Sequence, residues 1–257
     1  MSSFPGSVFI PGPTLPGVLT QRTAVYGLVT LSDEEYFPGG VIIDGGNARD
    51  PLNSLYPYEL RAGVLLGKIT ASGKYGASVL GTTAAALAAG ATTLSVAPAV
   101  AQEMVRRLGT TGSFKLTGPA TAGGTVATQL VAYTAVNTAT GAVTITAASA
   151  ACVGGGFVQP ADGSETPLTF VPNGYPLRVV NYDQLNIDVP EARCPIGGVV
   201  RSKNIVNWPS DPALMAWLVD TLAAPGQSHF VFEHLLRNVC PPRGSWTRGE
   251  TEPHISI

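Results

Sequence analysis

Residues 125–146 read TVATQLVAYTAVNTATGAVTIT, and the pattern in this stretch decides the fold class. Val143, Ile145 and Ala147 alternate with Thr144 and Thr146. A period of two is what a strand shows when one face of its sheet is dry and the other wet. Asn137-Thr138-Ala139-Thr140-Gly141 supplies a turn, so Thr125 to Val136 and Ala142 to Thr146 are expected to form a long hairpin. Ser113 to Thr117 adds a further expected strand. One helix is expected just upstream, over Pro98 to Leu108. Pro98 suits a first helical position, Gly109 stops the helix, and Ala101, Val105 and Leu108 share a face.

Working outward, residues 84–151 are nearly all Ala, Thr, Gly and Val, and chain of a different texture lies on both sides. This block is therefore expected to be a small β domain inserted into a parent fold. Before it, Leu60 to Thr70, then Ala71-Ser72-Gly73-Lys74, then Tyr75 reads as strand, tight turn, strand. After it, the parent fold is expected to resume at Gly155 to Pro160 and to run through Leu177 to Tyr182 and Ile196 to Val200. It then meets one strong helix. Asp211 is a good N-cap, Pro212 takes the first helical position, and Leu214, Trp217, Leu218 and Leu222 make an apolar stripe before Pro225-Gly226. Trp217 is accordingly expected in the core.

The chain up to about Tyr58 is crowded with turn formers, among them Phe4-Pro5-Gly6, Ile10-Pro11-Gly12-Pro13 and Phe37-Pro38-Gly39-Gly40. Only Ala24 to Leu31 and Val41 to Ile43 leave room for extended pieces. Proline this frequent blocks helix and fixes extended backbone, so residues 1–58 are expected to be an arm laid over another surface, with a leader lacking fixed structure as the alternative.

Charge narrows the function classes. Charged residues are 12 % of the 257, against roughly 25 % in an ordinary soluble domain, while Gly (30) and Pro (21) are plentiful. So little charge suits a chain that buries much of its exterior against partners, although a Thr/Ser/Gly-covered monomer would also be charge-poor. The net charge of −2, with no Lys/Arg run, lacks the footprint that phosphate backbones select for, and nucleic acid is not an expected partner. No secretory pattern opens the chain. The apolar-looking stretch Ala84 to Ala101 is broken by Gly90, threonines and Pro98 and is not expected to span a membrane. Cys152, Cys194 and Cys240 have no paired spacing and are expected to be free thiols.

Three places could carry chemistry. His229 and His234 flank Glu233 but are five apart, a spacing that puts them on different faces of a helix and opposite faces of a strand, so a terminal strand is the better reading. His254 has no nearby partner in sequence. Asp33-Glu34-Glu35 and Asp162 with Glu165 are carboxylate pairs of the kind that acid–base catalysis uses, but their surroundings look turn-like, and solvated loops are expected. No nucleophile elbow, phosphate-cradling loop or dinucleotide fingerprint is present. No catalytic, cofactor-binding or metal-binding residue is therefore assigned, and the chain is not expected to be an enzyme.

The run Arg61-Ala62-Gly63-Val64-Leu65-Leu66-Gly67-Lys68-Ile69 with Ser72-Gly73-Lys74-Tyr75, followed much later by Ala161-Asp162-Gly163-Ser164-Glu165-Thr166-Pro167, resembles the lambda-type head decoration proteins of tailed bacteriophages. The resemblance implies a mainly β fold: a β-tulip-like core over 59–83 and 152–236 with one C-terminal helix, plus the inserted domain 84–151. The insert and the tail 237–257 have no counterpart in that family. It further implies a homotrimer made in the host cytoplasm and seated on the outer surface of the capsid. The trimer would sit over three-fold and quasi-three-fold joints, bind the major capsid protein through its arm, and stabilise the shell against internal DNA pressure.

The insert would then enlarge contacts between neighbouring trimers or touch the host surface weakly. An adhesin or carbohydrate-binding module, and a tail structural component of the virion, are the competing readings. The first is weakened because residues 84–151 contain only two aromatics, Phe114 and Tyr133.

Overall fold

In a computed structural model, which describes residues 29–53, 60–172, 181–182, 185–186, 188–223 and 229–233, the chain is mainly β. The strands before the first helix are β1 (Thr30–Tyr36), β2 (Val41–Ile43), β3 (Leu65–Lys68), β4 (Tyr75–Ala77), β5 (Gly81–Thr82) and β6 (Thr93–Ser95). Helix α1 (Pro98–Leu108) is followed by β7 (Gly112–Pro119), β8 (Val126–Asn137), β9 (Ala142–Ile145), β10 (Phe157–Gln159) and β11 (Thr169–Phe170). After these come β12 (Asn181–Tyr182), β13 (Leu185–Asn186), β14 (Val189–Ala192), β15 (Pro195–Val200), a short 3-10 turn (Ser202–Asn204), α2 (Pro212–Leu222) and β16 (His229–Phe232).

The hairpin forms about the expected turn, although Ala147, past the end of β9, is exposed and does not share the buried face of Val143 and Ile145. β8 and β9 pair antiparallel, with Val143 and Ile145 buried and Thr144 and Thr146 facing out. They belong to a six-stranded sheet in the order β5-β10-β7-β8-β9-β6. Its two ends meet, because Thr83 pairs with Val96 and the Ala84 amide donates to the Ser95 carbonyl at 2.8 Å. The sheet thus curls into a small barrel filled by Leu94, Phe114, Leu116, Val131, Tyr133 and Val158, with Val100, Ala101 and Met104 of α1 packed into the same core. Contact with α1 is tight: a Cβ on Gly81 would collide with Val100. The sheet reaches past residues 84–151 on both sides, taking in β5 and β10, so this block and the chain that flanks it share one sheet.

Beside the barrel lie a five-stranded sheet, β11-β3-β4-β2-β14, and a three-stranded sheet, β1-β15-β16, together with the two-stranded pair β12-β13. α2 sits between the three-stranded sheet and the barrel, burying Leu214, Leu218 and Leu222 among Val200, Phe230 and Phe232. Trp217 turns out half-buried rather than central, its ring 6.2 Å from that of Phe157 on the barrel wall. The reason is geometric: it lies on the flank of the stripe, against the outside of β10.

Two expectations for the N-terminal stretch meet corrections. Within residues 1–58, the part from Val29 to Asn53 is built into the sheets: Val29 and Ile43 are fully buried, β1 pairs with β15, and β2 lies between β4 and β14. Residues 1–28 and 54–58 lie outside the described residues, as do most of 177–182 and the tail 237–257. Asp33, Glu34 and Glu35 sit in strand β1 and not in a turn. β1 is an edge strand, a position where charged residues are tolerated, and Glu35 is exposed.

Candidate functional site

The carboxylates that looked like solvated loop groups form a polar site where the loop of residues 161–166 meets the barrel. The loop is shaped by its own residues: Asp162 accepts hydrogen bonds from the Ser164 amide at 3.0 Å and hydroxyl at 2.6 Å, and Gly163 has a φ of +101° that a side chain would strain. It rests on the β3–β4 turn through Thr70 N to Asp162 O at 3.0 Å, and Gly67 leaves space for the Ser164 and Thr166 carbonyls that a Cβ would fill. The two stretches that carry the family resemblance therefore lie against each other.

Onto this loop the barrel places two cations. Arg107, in the last turn of α1, has a side chain only 1 % exposed; its Nη2 donates to Asp162 at 2.9 Å and to Ser164 Oγ at 2.8 Å, and its Nη1 donates to the Ala77 carbonyl at 2.7 Å. Lys115, on β7, forms an ion pair with Glu165, whose other oxygen accepts from the Gly163 amide at 2.7 Å. Gln159 fills the space beside them, donating to the Glu165 carbonyl and accepting from Thr117 Oγ1 at 2.6 Å. A third carboxylate completes the pattern. Asp211 caps α2 by accepting from the Ala213 and Leu214 amides, and its second oxygen accepts from Gly123 N in the β7–β8 turn at 2.9 Å.

Electrostatics fix the protonation of this site. Burial works to raise the Asp162 pKa, but the Arg107 charge and the hydrogen bonds from Ser164 and Arg107 outweigh it and hold the carboxyl below its ordinary value. For Glu165 burial is again outweighed, here by the Lys115 hydrogen bond and charge and by backbone donors. Asp211 is lowered first by the Gly123 amide. General-acid work needs a carboxyl raised toward neutrality; these are pushed the other way, and their oxygens are engaged. What the arrangement can do is clasp: three carboxylates outside residues 84–151 grip three donors inside them.

The other sequence candidates lie only in part within the described residues. Glu233, just past the end of β16, pairs with Arg201 at 3.3 Å; His229 opens that strand, four residues earlier, and His234 and His254 lie outside the described residues. Among the described residues, no group of three or more His, Cys, Asp or Glu is placed to hold a metal ion. Cys152 and Cys194 are free and buried, and burial pushes their thiols up to about 11 and about 12, so they stay protonated. Cys240 lies outside the described residues.

Sequence reasoning passed over Arg107 and Lys115. A signal was there: residues 84–151 carry only four charges, Glu103, Arg106, Arg107 and Lys115, and isolated charges in such a block need partners. All four have them, since Glu103 and Arg106 pair with each other one turn apart. The barrel exterior is consequently a surface of Ala, Thr, Ser and Gly, with Leu130 64 % exposed on β8. Both aromatics of the block, Phe114 and Tyr133, point inward and are fully buried, so neither offers a ring for a sugar to stack on.

No family model matches the chain, and neither a curated protein nor a solved structure matches it.

Proposed function

We propose that the chain is a non-catalytic structural protein of a virus particle, a decoration subunit that binds the outside of a tailed-phage head and stabilises the shell. The observation that carries this reading is the neutralised barrel. Every charge of residues 84–151 is held in an ion pair, which leaves an outer surface that loses little hydration energy when another protein covers it. The resemblance of residues 61–75 and 161–167 supplies the kind of partner, the major capsid protein, and the homotrimeric arrangement over three-fold and quasi-three-fold joints.

In this reading residues 1–28 are the capsid-binding arm. Arg22 is their one charged residue, and they lead into β1, an edge strand of the three-stranded sheet. A polypeptide this rich in Pro and Gly suits strand addition to an exposed sheet edge. Three arms per trimer add by effective concentration, and interfaces of roughly 800 Å² per partner clamp a joint without any catalytic group.

The test is co-sedimentation of the full chain with phage heads that lack their decoration protein, together with the resistance of those heads to heat. Saturable binding and tougher heads are expected, and deleting residues 1–28 should abolish binding while the remainder stays folded. Absence of binding would overturn the reading and favour the adhesin alternative.

A further inference from the structure

Away from the barrel, a cavity of about 370 Å3 opens between the turn after β2 and the segment that follows β15. Arg61 and Lys203 are its cations, Asn207 offers an amide, and Leu52, Ala62 and Ile205 supply apolar wall. Each wall is fixed by contacts that do not involve a ligand. Asp50, 3 % exposed, holds the Arg61 guanidinium through two of its nitrogens and accepts from the Leu52 amide, so it sets both groups at once. The opposite wall is tied to Gly63, whose carbonyl accepts from the Val206 amide at 2.9 Å and whose missing side chain makes room for the Asn204 carbonyl. Asn207 is held at a φ of +61°, a backbone state that costs free energy in any residue but glycine and is least unfavourable in asparagine.

The charge balance is specific. Asp50 offsets Arg61, while Lys203 has no ion-pair partner among the described residues, so the described lining carries about one net positive charge. Arg61 engages Asp50 with Nε and Nη2, and Nη1 remains as a donor. We propose that this cavity binds a monoanionic carboxylate carried on a small aliphatic body, the carboxylate meeting Arg61, Lys203 and Asn207 and the aliphatic part lying against Leu52, Ala62 and Ile205. A phosphate dianion would leave charge unmatched. The chemistry is shared by a free branched short-chain acid and by a peptide C-terminus with an aliphatic last residue. The site is independent of capsid binding.

The test is a titration of the isotope-labelled full chain, followed by the backbone amides of Lys203–Asn207 and the Arg61 side chain. The probes are isovalerate, N-acetylvaline, N-acetylvalinamide and inorganic phosphate. Saturable shifts with at least one of the two carboxylates, and none with the amide, are expected. Tighter binding of N-acetylvaline than of isovalerate would identify a peptide C-terminus as the source, and the reverse order a free acid. Lys203→Glu, an exposed position, should weaken the preferred carboxylate by about tenfold or more, and Asn207→Gly, which keeps the backbone state, by roughly threefold. Failure of both carboxylates to bind, binding of phosphate as tight as theirs, or unchanged affinity in Lys203→Glu would overturn the proposal.

Discussion

In the barrel, the β7–β8–β9 meander pairs strands that follow one another through short turns, with Pro119 opposite Val126 and Asn137 opposite Ala142, while β5, β6 and β10 join it from farther along the chain. In the sheets beside it, apart from the β3–β4 hairpin and the β12–β13 pair, the partners are remote. Ile43 pairs with Val189, Thr30 with Val200, and Leu65 with Phe170. Closing a long loop costs chain entropy before any contact compensates for it, so the remote pairings depend on the rest of the molecule in a way the β7–β9 meander does not. The chain places its largest local unit between the halves of its least local one, and three carboxylates then fasten the two together.

The largest expected effect comes from opening the barrel core. Phe114→Ala should lower stability by about 3–5 kcal/mol in guanidinium unfolding. Hydrogen exchange then sharpens the comparison. Protection lost over β7–β9 but kept over β15 would make the barrel a separate cooperative unit, and equal loss in both would make the molecule one.

Next comes the clasp. Arg107→Met leaves the Asp162 carboxylate without its cation and the Ala77 carbonyl without its donor, and should cost about 3 kcal/mol. A cost below 1 kcal/mol would mean that apolar packing alone joins barrel and core.

The same clasp responds to acid. Asp162, Glu165 and Asp211 are lowered in the folded protein, so their stabilisation is fully present above the ordinary carboxylate range and is lost as pH falls below about 4 and through the lowered values. The melting temperature should therefore drop through that window. The double variant Asp162→Asn, Glu165→Gln should start lower and show a shallower drop; a parallel curve would place the acid sensitivity elsewhere.

Asp211→Ala removes both the α2 cap and the tie to Gly123, for about 1 kcal/mol, and should speed exchange of the Gly123 amide. The smallest effect is Leu130→Ser on the barrel exterior, within about 0.5 kcal/mol by thermal melting, since the side chain touches mainly water.

Sequence was most legible where structure is local. The helix over Pro98–Leu108, the Asp211 cap with Pro212 behind it, the strand Val41–Ile43 and the hairpin about 137–141 all follow from periodicity, capping and turn chemistry acting within a few residues. Of the extended piece expected over Ala24–Leu31, residues 24–28 lie outside the described residues; β1 runs on to Tyr36, through a Ser-Asp-Glu-Glu run that carries no apolar alternation and is a strand by pairing with β15. The carboxylate pair Asp162 and Glu165 was visible as residues but not as a site. Its cations come from α1 and β7, more than forty residues upstream, a pairing that no spacing rule encodes.

By itself, then, the sequence determined the fold class, the elements of the barrel and a surface poor in charge, since these depend on residue type and short-range periodicity. The tertiary structure alone decided that residues 29–53 belong to the sheets, that β5 and β10 complete the barrel, and that the four charges of residues 84–151 are each held in an ion pair. The physical reason is that burial and ion pairing are properties of neighbours in space, and here those neighbours are brought together only when the long loops close.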